Sequence, residues 1–434
     1  MKQAIILAGG FGTRLNKAFP GIPKPMVPFF DKPLLEHQLI LCKKYGFDDI
    51  KILLHHKGEV IIEYFGDGSQ LGLKIDYFNE EYPLGTAGAV LNIFHHLDEN
   101  FLVIYGDTYL NVDLDRFFKN HIEKRVGATL FVHPNNHPHD SDLVELDQAG
   151  FVKALHSYPH PKEDWYRNLV NAALFAFNKE TLSSFSDVRT PQDFSKDLLP
   201  KLLSRGKKIL GYESTEYIKD MGTPERVMSV TKDIENKKHI RLEYSAKKNA
   251  IFFDRDGVIN IERGLISEPE KFELIEGVSS AIKKVNDAGL LVVIVTNQPV
   301  ISRGDITLDG LRKIHNKMET LLGEDGAYID RIYFCPHHPD KGFKGEIPEL
   351  KIKCECRKPS PGMILKAKKD LNIDIEKSWL IGDSTTDIKT AENVGIKNIL
   401  MTSGLGGKDK KYAIKADYTF DDLNQAIDFI LTGA

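Results

Sequence analysis

The stretch Ile251 to Asn260, IFFDRDGVIN, limits the fold more than any other. Three apolar residues run straight into Asp254, Arg255, Asp256 and Gly257. A short apolar run ending in carboxylates reads as a buried parallel strand that delivers its polar side chains at its C-terminal edge. Ligands of open α/β sheets bind at that edge. Two Asp two positions apart need a counter-charge, and a metal ion is the usual one. A capped strand followed by a turn at Asp256-Gly257 accounts for these residues taken alone. The pattern recurs, however. Leu290 to Val295 (LLVVIV) ends in Thr296-Asn297-Gln298, and Trp379 to Ile381 delivers Gly382-Asp383, with Asp387 at a helix start. Arg357-Lys358-Pro359 lies between those two strands.

The N-terminal half repeats the design. Ala4 to Ala8 is a buried-strand run feeding Gly9-Gly10-Phe11-Gly12-Thr13-Arg14, where glycines let backbone N–H groups approach an anion and Arg14 adds charge. No Gly-Lys-Ser/Thr follows, so this is not a Walker loop. Lys24 stands between Pro23 and Pro25 on a stiff segment. Leu34 to Tyr45 reads as a helix, and Ile50 to His55 and Leu73 to Phe78 as strands. Leu84-Gly85-Thr86-Ala87-Gly88 reads as a glycine turn opening a helix at Ala89. Phe101 to Tyr105 ends in Gly106-Asp107, and Asp220 precedes a glycine turn and a Pro-started helix. His133 to Asp142 is rich in His and Asp, but Pro134 and Pro138 break any ligand spacing, and the stretch reads as a polar loop.

A chain of 434 residues is too long for one ordinary core. Residues 232–248 hold Lys237-Lys238 and Lys247-Lys248 and little that fills a core, so the expected organisation is 1–231, a linker at 232–248, and 249–434. The fold class is α/β with two doubly wound domains. Net charge is −4, which gives no electrostatic case for nucleic acid. No apolar run has the length of a membrane span and the chain opens into a strand, so the expected location is cytoplasmic. Three of the four Cys cluster late. Cys335-x-His337 and Cys354-x-Cys356 are a closed tetrahedral set of three thiols and one imidazole, expected to hold structural Zn²⁺, with His338 the rival to His337.

GGFGTRL, PKPM, LGTAG, GDTYL and KDMGTP together resemble the sugar-1-phosphate nucleotidyltransferases. The resemblance implies a Rossmann-like domain with a mixed sheet. It implies that Gly9, Gly10, Gly12, Thr13, Arg14 and Lys24 hold a nucleoside triphosphate, and that Gly85, Thr86 and Gly88 lie near base and sugar. It further implies Mg²⁺ on Asp107 and Asp220 and a sugar contact from Asn171. A sugar phosphate oxygen attacks the α-phosphorus in such chemistry, and positioning, a cation clamp and a metal suffice. The family's Glu-Lys-Pro appears here as Ser157-Tyr158-Pro159, with Lys162 the nearest substitute, and its Asn-Ala-Gly as Asn171-Ala172-Ala173.

Strand-Asp-x-Asp, strand-Thr, Lys and strand-Gly-Asp, in that order, resemble the haloacid dehalogenase-like phosphatases. The resemblance implies a parallel sheet, Asp254 as nucleophile, Asp256 as acid and base, and Thr296 and Lys358 on the phosphoryl oxygens. It implies Mg²⁺ between Asp254, Asp256 through its carbonyl, and Asp383. The Cys/His loop and Cys-Arg-Lys-Pro narrow the likeness to heptose 1,7-bisphosphate 7-phosphatases and the related histidinol-phosphate phosphatases. There Glu262, Arg263, Gly264, Leu265, Asn297, Gln298 and Arg357 are implied to touch substrate. Pro299 and Val300 replace the family's Ser-Gly, which removes a backbone donor. The expectation is a bifunctional enzyme of nucleotide-activated heptose synthesis, acting on sugar phosphates and a nucleoside triphosphate, with GTP the expected donor. Its rivals are a transferase for another sugar joined to a histidinol-phosphate-type phosphatase, and a nucleotide-binding regulatory domain on an active phosphatase.

Overall fold

The computed structural model describes residues 2–10, 12, 14–15, 18–161, 164–186 and 190–433. The chain forms two compact units: 1–133, 141–158 and 170–244 make one, and 134–140, 159–169 and 245–434 make the other. No described helix is long and apolar enough to cross a membrane.

The first unit is built on a mixed sheet. Among the described residues its central path runs Val152–His156, Leu143–Leu146, Val170–Asn178, Asn100–Tyr105, Lys2–Leu7, Phe47–Leu54, Lys74–Asn79. Lys2–Leu7 lies parallel to both of its neighbours, and Val170–Asn178 runs antiparallel to Asn100–Tyr105. Ala4, Ile5, Ile6 and Phe101 to Val103 are fully buried, as continuous apolar runs in covered strands must be. A separate ribbon pairs Thr108–Asn111 with Tyr217–Asp220 and sets Asp220 opposite Thr108, which brings it beside Asp107.

Three readings change here. The helix expected at Ala89 begins at Gly85 (Gly85–Asn92), because a distant carbonyl, Gln192 O, accepts from the Ala87 and Gly88 amides and satisfies its open first turn. Gly85 has φ +75°, and a Cβ there would come within 2.4 Å of Gln192 O. The stretch 232–248 carries the end of the helix Pro224–Glu235 and a further turn, Lys238–Arg241. Its residues up to Tyr244 pack on the first unit, where the Asn111 amide donates to His239 O and Glu243 and Arg116 stacks on Tyr244, while Ser245 to Lys248 belongs to the second, with Lys248 N donating to Asn372 O. Residues 134–140, read as a polar loop, and 159–169 belong to the second unit. Asn135 and Asn168 bind each other's backbone or side chain at 2.7 and 3.1 Å, and Pro138 is buried. Tyr166 N donates to Thr320 Oγ1, and Asn316 to Trp165 O, on the helix Leu308–Glu324.

Two consequences for stability arise in the first unit. Ala173 sits at φ +58°, at a break in register between Asn171 and Phe175. A Cβ is disfavoured there. Ala173→Gly is expected to raise the unfolding free energy by about 0.5–1 kcal/mol, the relief of strain outweighing the freer unfolded chain; denaturant titration measures it. His121 is buried, its Nδ1 2.8 Å from Thr129 Oγ1, and burial pushes its pKa down to about 4. The unfolded chain takes up that proton below about pH 6.5, while the folded chain resists until about 4. Stability is therefore complete above pH 6.5 and declines by roughly 3 kcal/mol as pH falls through that window. His121→Gln should flatten this part of the melting-temperature profile.

The second unit has a six-stranded sheet among the described residues. Its order is Arg331–Cys335, Leu291–Asn297, Ala250–Phe253, Trp379–Gly382, Lys397–Met401, Tyr418–Phe420. Every pairing is parallel. Numbered along the chain this is 3-2-1-4-5-6, with the switch at Ala250–Phe253. The helices Val278–Asp287 and Leu423–Thr432 pack on each other, and Ile251, Phe253, Val292, Ile294 and Ile381 fill the core beneath. Asp254, Thr296 and Asp383 all emerge at the sheet's C-terminal edge.

Candidate active sites

In the second unit Asp254 follows Phe253, and Asp383 follows Gly382, on adjacent strands. Asp387 joins them from the first turn of Thr385–Val394, where Ser384 and Asp387 form a reciprocal cap. One carboxylate oxygen from each of Asp254, Asp383 and Asp387 lies within 4.8 Å of the others. Lys358 Nζ is buried between two of them, 2.9 Å from Asp254 and 2.6 Å from Asp387. Those carboxylates hold the lysine well above its ordinary range, against the cost of burial. Burial, with neighbouring carboxylates, pushes Asp254 up against the pull of Lys358. Burial also pushes Asp383 up to about 7, opposed by the Leu405 amide, which donates to it at 2.7 Å. Buried acids crowded this way are stabilised by a divalent cation, and the donors fit a hard oxygen-ligated ion such as Mg²⁺. Gly257, at φ +82°, is required, since a Cβ would fall 2.1 Å from Asp383 Oδ2.

The carboxylate of Asp256 points elsewhere. The fully buried Arg255 holds it at 2.9 Å, with Asn260 at 3.1 Å and Gln298 at 3.0 Å. The expected metal set takes Asp256 through its carbonyl, and the third carboxylate beside Asp254 and Asp383 is Asp387. The Asn297 amide clasps the backbone of Lys358, accepting from Lys358 N at 3.0 Å and donating to Lys358 O at 3.1 Å. Gln298 donates to Thr296 Oγ1 as well as to Asp256. Both residues also line the cavity over the cluster. A cavity of about 580 Å³ opens over this cluster, lined by Glu262, Gly264, Leu265, Arg357 and Pro299 among others. Arg263 does not line it; its guanidinium pairs with Glu273.

Cys335, His337, Cys354 and Cys356 converge as a second group. Their donors stand 3.2 to 3.7 Å apart, close to the roughly 3.8 Å edge of a tetrahedron with Zn–S bonds of about 2.3 Å. His338 turns away, accepting from Asp340 N. Arg357 donates to His337 O at 3.1 Å, and Lys358 follows it directly, so this loop supports the wall that carries Lys358.

In the first unit Lys24 Nζ lies 2.8 Å from Asp107 Oδ2, and Gly12 packs on the lysine's stem. Asp220 accepts from Gly222 N and pairs with Arg226. Burial and then Asp107 push Asp220 up, against Arg226. Two neighbouring acids beside a lysine fit a cation and a polyphosphate. Gly9 and Gly10 follow the buried strand Lys2–Leu7, and Arg14 is exposed beyond them. Thr86 Oγ1 donates to Asp193, and the Gly88 amide is taken by Gln192 O, so neither is an open donor. Asn171 donates to Ser195 Oγ and its Oδ1 is buried with no hydrogen bond. Tyr158 N donates to Asp142, and its ring is half-exposed. Thr13 and Lys162 lie outside the described residues.

The first unit thus has the sheet and paired acids of a nucleotide-dependent transferase, and the second the Asp/Lys centre of an aspartate-based phosphatase. A model of the nucleotidyl transferase family matches residues 3–237, and a HAD-hydrolase-like model matches 355–426. The D-glycero-beta-D-manno-heptose-1,7-bisphosphate 7-phosphatase of Yersinia pestis is 41% identical over 155 residues, 35% of this chain and 80% of that protein. HddC from Yersinia pseudotuberculosis, crystallised with GMP-PN, is 25% identical over 54% of this chain and 100% of its own, with a TM-score of 0.46. The D,D-heptose 1,7-bisphosphate phosphatase from B. bronchiseptica, complexed with magnesium and phosphate, is 30% identical over 43% of this chain and 99% of its own, with a TM-score of 0.38. The chain belongs to the nucleotidyl transferase family in its first half and to the haloacid dehalogenase-like phosphatases, with heptose bisphosphate phosphatases among its relatives, in its second. It is a bifunctional enzyme.

Proposed function

We propose that the second unit removes the 7-phosphate of D-glycero-D-manno-heptose 1,7-bisphosphate and that the first joins the resulting heptose 1-phosphate to GMP from GTP, releasing pyrophosphate. The observation that carries the reading is the buried Asp254–Lys358–Asp387 cluster at the switch point of the second sheet, in a chain 41% identical over 155 residues to a heptose bisphosphatase.

Asp254 attacks the 7-phosphorus, and the C7–O oxygen leaves. Asp256 gives that oxygen its proton, then takes one from the water that opens the aspartyl phosphate. To do so Asp256 exchanges part of its hold on Arg255, Asn260 and Gln298 for the substrate. Lys358 and Thr296 hold the phosphoryl oxygens. Asp254, Asp383, Asp387 and the Asp256 carbonyl would hold Mg²⁺, which supplies charge neutralisation when bound. Cys335, His337, Cys354 and Cys356 would hold Zn²⁺ in a structural role.

In the first unit Asp107 and Asp220 would hold a second Mg²⁺. Gly9, Gly10, Thr13, Arg14 and Lys24 would hold the triphosphate, with the base and sugar near Gly85 to Gly88 and Asn171. Lys24 leaves Asp107 for the phosphates when both cation and nucleotide arrive. The guanine reading draws on the resemblance, since adenylyl transfer to heptose belongs to another fold.

The test offers the purified protein heptose 1,7-bisphosphate with each of the four nucleoside triphosphates. GDP-heptose, phosphate and pyrophosphate are the expected products. Phosphate release from histidinol phosphate instead, or no sugar-dependent pyrophosphate, would overturn the reading.

A further inference from the structure

We infer that His315 is a positioning residue of the phosphatase: its imidazole holds the Arg255 guanidinium in place, so that the Asp256 carboxylate can swing to the leaving oxygen and back. The inference rests on the proposed phosphatase reading and names a residue on which its acid–base step depends.

Arg255 is fully buried, and a guanidinium there must find acceptors for its N–H groups inside the protein. Asp256 takes two of its nitrogens. Nη2 donates to Oδ1 at 2.9 Å and to Oδ2 at 3.0 Å, and Nε donates to Oδ1 at 3.2 Å. The third nitrogen, Nη1, stands 3.4 Å from Nε2 of His315. A guanidinium only donates, so Nε2 accepts and the ring is neutral. Burial, and then the charge of Arg255, push the His315 pKa down to about 3, which keeps that lone pair open at neutral pH. The ring is itself buried and packs edge-on against Phe334, with centroids 5.9 Å apart.

The reaction asks different things of the two partners of Arg255. Asp256 has to loosen its hold on the guanidinium to reach the ester oxygen. As Asp254 bonds to phosphorus and the ester O–P bond breaks, the proton on Asp256 goes to the departing oxygen. A buried guanidinium held by Asp256 alone would follow that carboxylate rather than stay unpaired. His315 takes no part in the bond changes. It stands on the helix Leu308–Glu324, where Asn316 donates to Trp165 O at 3.3 Å and Thr320 Oγ1 accepts from Tyr166 N at 3.1 Å. The backbone of Arg255 is fixed too: its amide donates to Asp254 at 2.7 Å, and its carbonyl accepts from Ile259 N at 2.8 Å. With His315 at the tip of its side chain, Arg255 keeps its place while Asp256 moves.

The experiment measures kcat/KM of the full-length protein, of His315→Phe and of His315→Gln, on heptose 1,7-bisphosphate and on p-nitrophenyl phosphate. Phe keeps a ring against Phe334 and removes the acceptor. Gln brings an amide oxygen close to the position of Nε2. For both substrates kcat/KM covers the steps up to the aspartyl phosphate. In those steps a sugar oxygen needs a proton to leave, whereas nitrophenolate is stable as an anion and does not. His315→Phe should lose roughly 10- to 100-fold on the sugar phosphate and less than about 3-fold on the aryl phosphate. It should also release nitrophenolate in a burst, because opening the aspartyl phosphate still requires Asp256 to take a proton from water. His315→Gln should keep most of the wild-type value on both substrates. Equal losses on the two substrates would show a purely structural role and overturn the inference, as would no loss on either. A wild type that hydrolyses histidinol phosphate in place of the heptose ester overturns the heptose reading, and the same comparison made with that alkyl ester then decides for or against His315.

Discussion

Asp254→Asn is expected to abolish phosphate release, by at least ~10⁴-fold, and to leave nucleotidyl transfer intact. The amide keeps the side chain's size and removes its nucleophilic charge. Lys358 keeps Asp387 as a partner at 2.6 Å, so the variant does not strand a buried cation and should fold. The same protein decides the order of the two reactions. A sugar still carrying its 7-phosphate brings roughly two extra negative charges to the transferase. There Lys24 is paired with Asp107 and Arg226 with Asp220, and both acids are proposed to serve the metal. Hydrolysis should therefore come first. Given heptose 1,7-bisphosphate and GTP, Asp254→Asn should make almost no nucleotide sugar, and added heptose 1-phosphate should restore synthesis to the wild-type rate. Accumulation of GDP-heptose that retains the 7-phosphate would show that the phosphatase acts on the nucleotide sugar instead.

Cys354→Ser carries the second large effect. With one thiolate gone, the remaining donors no longer close a tetrahedron. The loop from Pro336 to Lys353 has few apolar residues with which to hold itself. Zinc should drop from near one equivalent to a small fraction, with the second unit losing several kcal/mol of stability. The phosphatase should weaken along with it. Arg357 ties the loop at His337 O, and Lys358, one residue on, takes its place between Asp254 and Asp387 from that anchored backbone. Metal analysis and calorimetry read the first two effects. Wild-type protein with no zinc would show that the four donors serve another purpose.

The strands and their terminal acids were legible because each is written in a few consecutive residues. An apolar run that ends in Asp fixes both burial and the edge where the carboxylate emerges. The Cys/His set was legible because its spacing is local within each pair. What the sequence hid depends on distant partners. Asp387 was visible as a helix start, and its position four residues after Asp383 was the available signal. Its proximity to Asp254 follows only once two strands are adjacent. That Asn297 clasps the backbone of Lys358 and Gln298 donates to Asp256, besides lining the cavity, is visible only in the fold. The helix at Gly85 begins earlier than its glycines imply because Gln192, over a hundred positions away, fills the amides that would otherwise fray. Ala173 shows the reverse case: its backbone is left-handed, a conformation that an alanine in the sequence does not signal.

The chain enters the second unit at Pro134, leaves after Asp140, enters again at Pro159, leaves after Leu169 and enters finally at Ser245. The two enzymes are thus laced together by the polypeptide itself. A cut between residues 244 and 245 does not yield two intact halves: residues 245–434 alone would lack the strands of sequence around Pro138 and Trp165 that lie along the helix Leu308–Glu324. Neither activity can be exchanged as a cassette at a single junction. Because one polypeptide carries both centres, the two are always made in equal amounts.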